Sequence, residues 1–155
     1  MAKTAAEKLA HKGNLPKVEP ITDPVAQVRL GGRTLLVAPP TDYDELMKQV
    51  PKGRLITQDR LRQVLAKRYN ADTTCAMTCG IFTRIAAEAH EERGGANPTF
   101  WWRTLKRGGE LNPKYPGGIE HQRELLEAEG HKVIQRGQRF FVENFEDSIW
   151  LPQDV

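Results

Sequence analysis

The residues with most to offer chemically are Phe100-Trp101-Trp102-Arg103. Two adjacent indoles beside a guanidinium suit stacking on an aromatic base and bonding to a phosphate or carbonyl oxygen. An indole nitrogen donates a hydrogen bond but is not a nucleophile. The only thiols are Cys75 and Cys79, spaced C-x-x-x-C. No histidine or second cysteine pair adjoins them, so the spacing does not make a structural zinc site. A thiol at a helix N-terminus gains thiolate character, which makes either one a conceivable nucleophile. No basic partner for either is identifiable, and small buried cysteines are the plainer reading. His11, His90, His121 and His131 are scattered and read as surface residues. No catalytic residue, metal or cofactor is therefore expected.

Charge is unevenly placed. The net charge is +3 over 155 residues. Residues 1–40 hold six Lys/Arg against three Asp/Glu, and the remainder is neutral. Within that remainder, Lys48 to Arg68 carries seven bases against Asp59 alone, while Glu143 to Val155 carries four acids and no base. A basic stripe with an acidic end fits a nucleic-acid face. It equally fits a solvated helix surface. At 39% hydrophobic residues the chain can build one modest core. No run approaches the ~18 apolar residues of a membrane helix. Met1–Ala10 has lysines without an apolar core behind them, so it does not read as a secretory signal. Two cysteines exclude a disulfide scaffold and point to a reducing, cytoplasmic setting.

The elements that must position these residues follow from periodicity. Ala5–His11 reads as a short helix, broken by Gly13, Pro16, Pro20 and Pro24. Val25–Leu30 and Thr34–Val37 read as a hairpin turning at Gly31-Gly32. Thr41-Asp42-Tyr43-Asp44 reads as a capping box, with Tyr43, Leu46, Met47 and Val50 on one apolar stripe. Pro51 and Gly53 stop that helix. Thr57 is placed to N-cap a second one, with Leu61, Val64, Leu65 and Tyr69 inward. Cys75–Glu92 is a third, with Met77, Ile81, Phe82, Ile85, Ala86 and Ala89 on its predicted buried side. The second and third helices have a helix-turn-helix outline, in which one helix enters a groove and the other braces it. An ordinary helical hairpin has the same outline. Residues 99–118 form a long punctuated loop holding two of the three tryptophans. A helix over about Ile119–Glu129 ends at Gly130. Lys132–Ile134 and Arg139–Val142 pair as a hairpin in the place of a wing.

The order of these signals resembles the alkylguanine-DNA alkyltransferase family, the methylated-DNA–protein cysteine methyltransferases. The resemblance covers roughly Thr41–Gly130. It begins at Tyr43-x-x-Leu46-Met47-x-x-Val50-Pro51-x-Gly53-Arg54-Leu55-Ile56-Thr57. It ends at Trp101-Trp102-Arg103-Thr104-Leu105, Gly109-Glu110-Leu111 and Gly117-Gly118-x-Glu120-x-Gln122-x-x-Leu125-Leu126-x-x-Glu129-Gly130. The family's reactive motif is Pro-Cys-His-Arg. Here Trp101 stands at the alkyl-accepting cysteine and Trp102 at the activating histidine. Glu120 follows the loop with no histidine to support. Only a thiolate attacks the alkyl carbon, so family-type alkyl transfer is not expected. The substitution resembles the alkyltransferase-like proteins, which bind alkylated guanine in DNA without repairing it and pass it to excision repair.

That resemblance implies an α/β fold. Its mostly helical core would be a winged helix-turn-helix domain of the alkyltransferase type over residues 41–130. A 1–40 arm and hairpin would precede it, and a 131–155 hairpin and acidic tail would follow. It implies a flipped-base pocket from Phe100, Trp101, Trp102, Arg103 and Tyr115. The alternative has Trp101 filling the emptied pocket and Trp102 packing in the core. It implies double-stranded DNA contacts from Lys52, Arg54, Thr57, Gln58, Arg60, Thr78 and Arg84, an excision-repair partner, and a monomer. Gln58 stands where family members carry a DNA-contacting tyrosine. The family's intercalating arginine falls on Arg84 when counted back from Trp101, and on Met77 or Thr78 when anchored on Gly80. Two rival functions remain: an alkyltransferase using a non-standard cysteine, and an interaction domain without DNA binding. The 1–40 arm reads either as a salt-dependent DNA contact or as a strap over the core.

Overall fold

The computed structural model describes residues 3–153. Met1 and Ala2, the start of the stretch read as no secretory signal, lie outside them. So do Asp154 and Val155, the end of the acidic run. The chain begins with helix α1 (Ala5–Ala10), opened by a full capping box between Thr4 and Glu7. Strand β1 (Lys17–Pro20), helix α2 (Pro24–Leu30) and strand β2 (Thr34–Val37) follow. An N-terminal antiparallel pair exists, but it joins β1 to β2, with Lys17 opposite Val37. The expected first strand, Val25–Leu30, is helix α2. Asp23 accepts the Val25 N–H, Pro24 occupies the first turn, and Gly31 closes the helix in the left-handed region. The Gly31-Gly32 signal was thus a helix end rather than a hairpin turn.

Helix α3 (Pro40–Gln49) starts one residue before the expected capping box. Its N-cap is Pro39, and no side chain caps it. Pro40 supplies the helical φ and has no N–H to satisfy, so Thr41 is already inside the first turn. Strand β3 (Ile56–Thr57) leads into helix α4 (Gln58–Arg68), whose N-cap Thr57 makes no capping bond. Strand β4 (Thr73–Thr74) pairs in parallel with β2, completing a sheet of order β1-β2-β4. Helix α5 (Ala76–Arg93) is the longest element. The long loop is ordered around a 3-10 turn at Trp101–Arg103 and strand β5 (Thr104–Leu105), which pairs in parallel with β3. Helix α6 (Gly118–Ala128) and the hairpin β6 (Val133–Arg136) and β7 (Arg139–Val142) complete the wing. The fold is thus mixed α/β, with 48% of it helical and only small sheets, and α4, α5 and the wing form a winged helix-turn-helix arrangement.

Two apolar clusters hold the molecule. The larger joins Leu36, Tyr43, Leu46, Met47, Leu61, Leu65, Ala86 and Trp101 beneath α3, α4 and α5. The smaller joins Leu55, Leu105, Leu111, Leu126, Val133 and Val142 beneath the wing. Trp102 packs against both. The C-terminal segment returns to the middle of the fold: Leu55 N–H donates to the Ser148 carbonyl at 2.9 Å, and Trp150 N–H to the Leu55 carbonyl at 2.7 Å. Phe145 sits so close to Gly109, at φ +83°, that a Cβ there would lie 2.5 Å from its ring. Only glycine fits that approach.

Helix α1 lies against α5 and is fixed at one end by Glu92. The Glu92 carboxylate accepts the N–H groups of Ala5 at 2.8 Å and Ala6 at 3.1 Å. These are first-turn donors that a helix cannot satisfy internally, and an anion at that end also suits the helix dipole. Glu92→Ala is expected to accelerate amide hydrogen exchange at Ala5 and Ala6 while leaving global unfolding nearly unchanged, as exchange mass spectrometry with a parallel denaturant melt would record.

Candidate nucleic-acid interface

The five residues around the double tryptophan are brought together, and they are closed in. Trp101 is fully buried, with ring centroids 5.8 Å from Trp102, 5.1 Å from Tyr115 and 5.6 Å from His121. Phe100 stands edge-on to Trp102 at 5.8 Å, and the Arg103 guanidinium lies 4.1 Å over the Phe100 ring. Trp101 Nε1 and the Tyr115 hydroxyl are buried without hydrogen-bond partners. Each such group carries a desolvation cost of about 1–3 kcal/mol.

Arg103 organises the loop. Its Nη2 lies 2.6 Å from Glu129 Oε2, its Nε bonds both Glu129 oxygens, and its Nη1 donates to the Val50 carbonyl at 2.7 Å. Glu129 also accepts Trp102 Nε1–H at 3.1 Å and Gly53 N–H at 3.3 Å. The carboxylate that supports residue 102 is therefore Glu129, whereas Glu120, the acid expected after the loop, is exposed. Burial opposes ionisation of Glu129, but the donors from Arg103, Trp102 and Gly53 outweigh it and hold the carboxyl below its usual range. Gln122, fully buried, ties the two limbs of the loop. Its Oε1 accepts Asn112 N–H at 2.8 Å, and its Nε2 donates to the Trp102 carbonyl at 3.2 Å.

An open groove of about 320 Å³ lies elsewhere, across the first half of α5. Gln58, at the start of α4, forms one side. Met77, Gly80, Ile81 and Arg84 present the outer face of α5. Lys106, Asn112, Pro113 and Lys114 close it from the loop. No carboxylate lines it. Arg84 is on the outer face, 43% exposed at its side chain and 4.0 Å from Glu88. Gln58 Nε2 donates to Thr83 Oγ1 at 3.4 Å, and the Tyr115 hydroxyl lies close to both Gln58 and Thr83. The groove thus borders the buried aromatic cluster through Gln58.

Two residues expected inside α5 face outward: Met77 is 72% exposed and Ile81 41%. The inner face is built from Cys79, Thr83, Ile85, Ala86, Ala87 and Ala89. Small residues there let α5 approach α3 closely, and Thr83 spends its hydroxyl on the Cys79 carbonyl at 2.9 Å. Lys106, Lys114 and Ile81 were not among the expected site residues, and Met77 had entered only as an alternative for the intercalating position. The run of small residues at helical spacing was the signal that could have turned the helix over.

The other expected contacts do not line this groove. Thr78 is half-buried, bonds the Cys75 carbonyl and faces the N-terminal arm. Thr57 is buried and shares a separate hollow with Arg60 and Arg107, where Asp59 and Glu146 offset the positive charge. Lys52 is exposed, and Arg54 donates to the Ile149 carbonyl at 2.8 Å. Beside the wing, a further hollow carries Glu143, Glu146 and Asp147. Its charge is wrong for a phosphate backbone. Cys79 is fully buried, and burial pushes its thiol up to about 12. Burial also opposes ionisation of the half-buried Cys75. Hydrogen bonds from Thr78 and Met77 outweigh it and bring the thiol below its ordinary value. Among the described residues no group of three or more His, Cys, Asp and Glu could hold a metal ion, and no helix is long and apolar enough to cross a membrane.

A winged helix-turn-helix with this loop and closing helix is the fold of the alkyltransferase-like proteins. Two crystal structures of the Schizosaccharomyces pombe protein of that type match it. One holds S. pombe Atl1 with damaged DNA containing O6-carboxymethylguanine; it has a TM-score of 0.53 and 17% identity, over 73% of this chain and 94% of that one. The other is the S. pombe protein with DNA, with a TM-score of 0.55 and 21% identity over the same shares. No family model and no curated protein matches the chain.

Glu129→Gln leaves the buried Arg103 cation without its anion, and is expected to cost about 3–5 kcal/mol of stability at neutral pH. The folded carboxyl titrates below its unfolded value. The pair's contribution is therefore complete above the ordinary carboxylate pKa and disappears as pH falls through the lower folded one. Urea melts from pH 7 down to pH 3 should converge for wild type and variant at the acid end. Parallel curves would refute the assignment.

Proposed function

We propose that this protein binds double-stranded DNA and recognises alkylated guanine without transferring the alkyl group, marking the site for an excision-repair protein. The observation that carries the reading is the groove on α5: exposed Met77 and Ile81 flanked by Arg84, Lys106 and Lys114, with no carboxylate lining it. Cations at such a groove neutralise phosphates and release counterions. The apolar pair suits the sugar and base edges of a minor groove. The S. pombe structures, crystallised with DNA, support the same partner.

Lys106 and Lys114 hold the backbone in register. Arg84, on the outer face of α5, enters the duplex. Gln58 faces the lesion; behind it the Tyr115 hydroxyl, beside Gln58 and Thr83, donates or accepts, and the unpaired Trp101 Nε1–H donates, to an extruded base once Gln58 moves aside. Phe100, Trp102 and Arg103 hold that wall in place. The absence of transfer follows from chemistry. Trp101 offers no nucleophile, Cys79 is held as a buried neutral thiol, and Cys75 lies on the far side of Met77 from the groove that faces the lesion. The protein acts as a monomer in a reducing, cytoplasmic setting, in keeping with its two free thiols.

Fluorescence anisotropy on two matched duplexes, one with a single O6-methylguanine, tests this reading. Tighter binding to the modified duplex is expected, with no mass gain on the protein. Arg84→Ala should weaken binding to the modified duplex about tenfold, roughly 1.4 kcal/mol. Lys114→Ala should weaken both duplexes alike and lower the slope of log affinity on log salt by about 0.9. Equal affinity for the two duplexes would remove the damage-recognition part. No binding to either would remove DNA altogether, and a mass gain would restore the enzyme reading.

A further inference from the structure

The N-terminal arm builds a second cleft, of about 530 Å³, on the other side of Met77. Its position follows from how α1 is held. Glu92, at the C-terminal end of α5, receives the start of α1. The chain leaving α1 therefore arrives at the N-terminal end of α5, beside Cys75, Met77 and Thr78. Lys8, Lys12 and Lys17 stand on the rim, and no carboxylate lines the cleft. Lys17 pairs with Glu19 at 3.1 Å. Lys8 and Lys12 make no ion pair among the described residues. The floor is apolar and includes the half-buried ring of Phe82. Met77 lines both this cleft and the groove on α5, so it forms the ridge between two positively charged hollows.

We propose that this cleft is a second DNA-binding subsite, which takes the sugar-phosphate and one unstacked base of a strand crossing the Met77 ridge from the groove. The inference rests on the DNA-binding reading and extends it to the arm. The unpaired lysines supply cations for phosphate oxygens. Phosphates alone need no apolar floor. A floor with an aromatic ring fits the flat face of a base, whichever base it is. The arm is thus both strap and contact: α1 packs on α5, while Lys8 in its last turn and Lys12 just after it offer their charge to the cleft.

The full-length protein reports occupancy through Cys75, which lines the cleft, while buried Cys79 serves as an internal control. Alkylation of Cys75 by iodoacetamide, followed by mass spectrometry, should slow several-fold when the O6-methylguanine duplex is bound, with Cys79 unmodified throughout. The surface variant Lys8→Ala/Lys12→Ala should keep the wild-type melting temperature. Its salt slope should fall by roughly 1–2, about 0.9 for each phosphate left without its lysine, and Lys8→Arg/Lys12→Arg should restore it. DNA binding with an unprotected Cys75 and an unchanged slope would overturn this inference and leave the groove reading intact. A wild-type protein that binds no DNA would overturn both.

Discussion

One buried ion pair sets the geometry of everything around it. Arg103 and Glu129 have side chains only 6% and 7% exposed, and they meet at 2.6 Å. Withdrawing two charges from water is expensive, and it is tolerated only when their remaining hydrogen-bonding capacity is filled. Here Val50, Gly53 and Trp102 fill it. Those partners come from the end of α3, the turn before β3 and the loop, and Glu129 itself from the end of α6. Three separate pieces of chain, with α3 and the turn after it forming one, are therefore tied at one point. Because Arg103 is held inward, the preceding 3-10 turn drives Trp101 into the core, where its ring meets Tyr115 and His121. An arginine placed beside two tryptophans reads as a binding motif, but its guanidinium is already occupied.

The consequence is a division of labour between a closed aromatic wall and an open helical groove. The wall keeps its shape through edge-to-face packing, and Gln122 stitches the loop that carries it. The groove draws its exposure from the composition of α5. Alanines, Cys79 and Thr83 take the inner face because α3 lies close, and bulkier side chains there would force the helices apart. Met77 and Ile81 are left on the outside. Exposed apolar side chains among lysines and arginines cost little individually, and together they mark a surface built for contact.

Charge is sorted by face as well as paired locally, as Arg84 is with Glu88 and Lys106 with Glu110. Carboxylates from the C-terminal segment gather beside the wing, while Lys106, Lys114 and Arg84 face the groove and Lys8 and Lys12 the cleft beyond it. Net charge near zero over residues 41–155 hides this arrangement, because opposite charges on opposite faces cancel in a sum and not in a field. Glu110 shows the same economy within the loop. A paired hydrogen bond from Arg139 holds its carboxyl below the usual range and pins the wing to the loop.

Much of the scaffold was legible in the residues. The stripes on α3 and α4, the extent of α5 and α6 and the β6–β7 hairpin all follow from apolar spacing and from glycine and proline stops, which act over a few residues. The resemblance of residues 43–57 and 101–130 to the alkyltransferases named the fold, and the tryptophans standing at that family's cysteine and histidine positions were visible there too. Local signals misled where one pattern serves two structures. Gly31-Gly32 ends α2 as readily as it would turn a hairpin, and the strand that pairs with β2 lay upstream among prolines. The facing of α5, the choice of Glu129 over Glu120, the enclosure of Trp101 and the meeting of Gln58, Arg84 and Lys114 at one groove were decided only by tertiary structure. Each depends on contacts between residues tens of positions apart. Periodicity states which residues share a face, and only packing states which face turns inward.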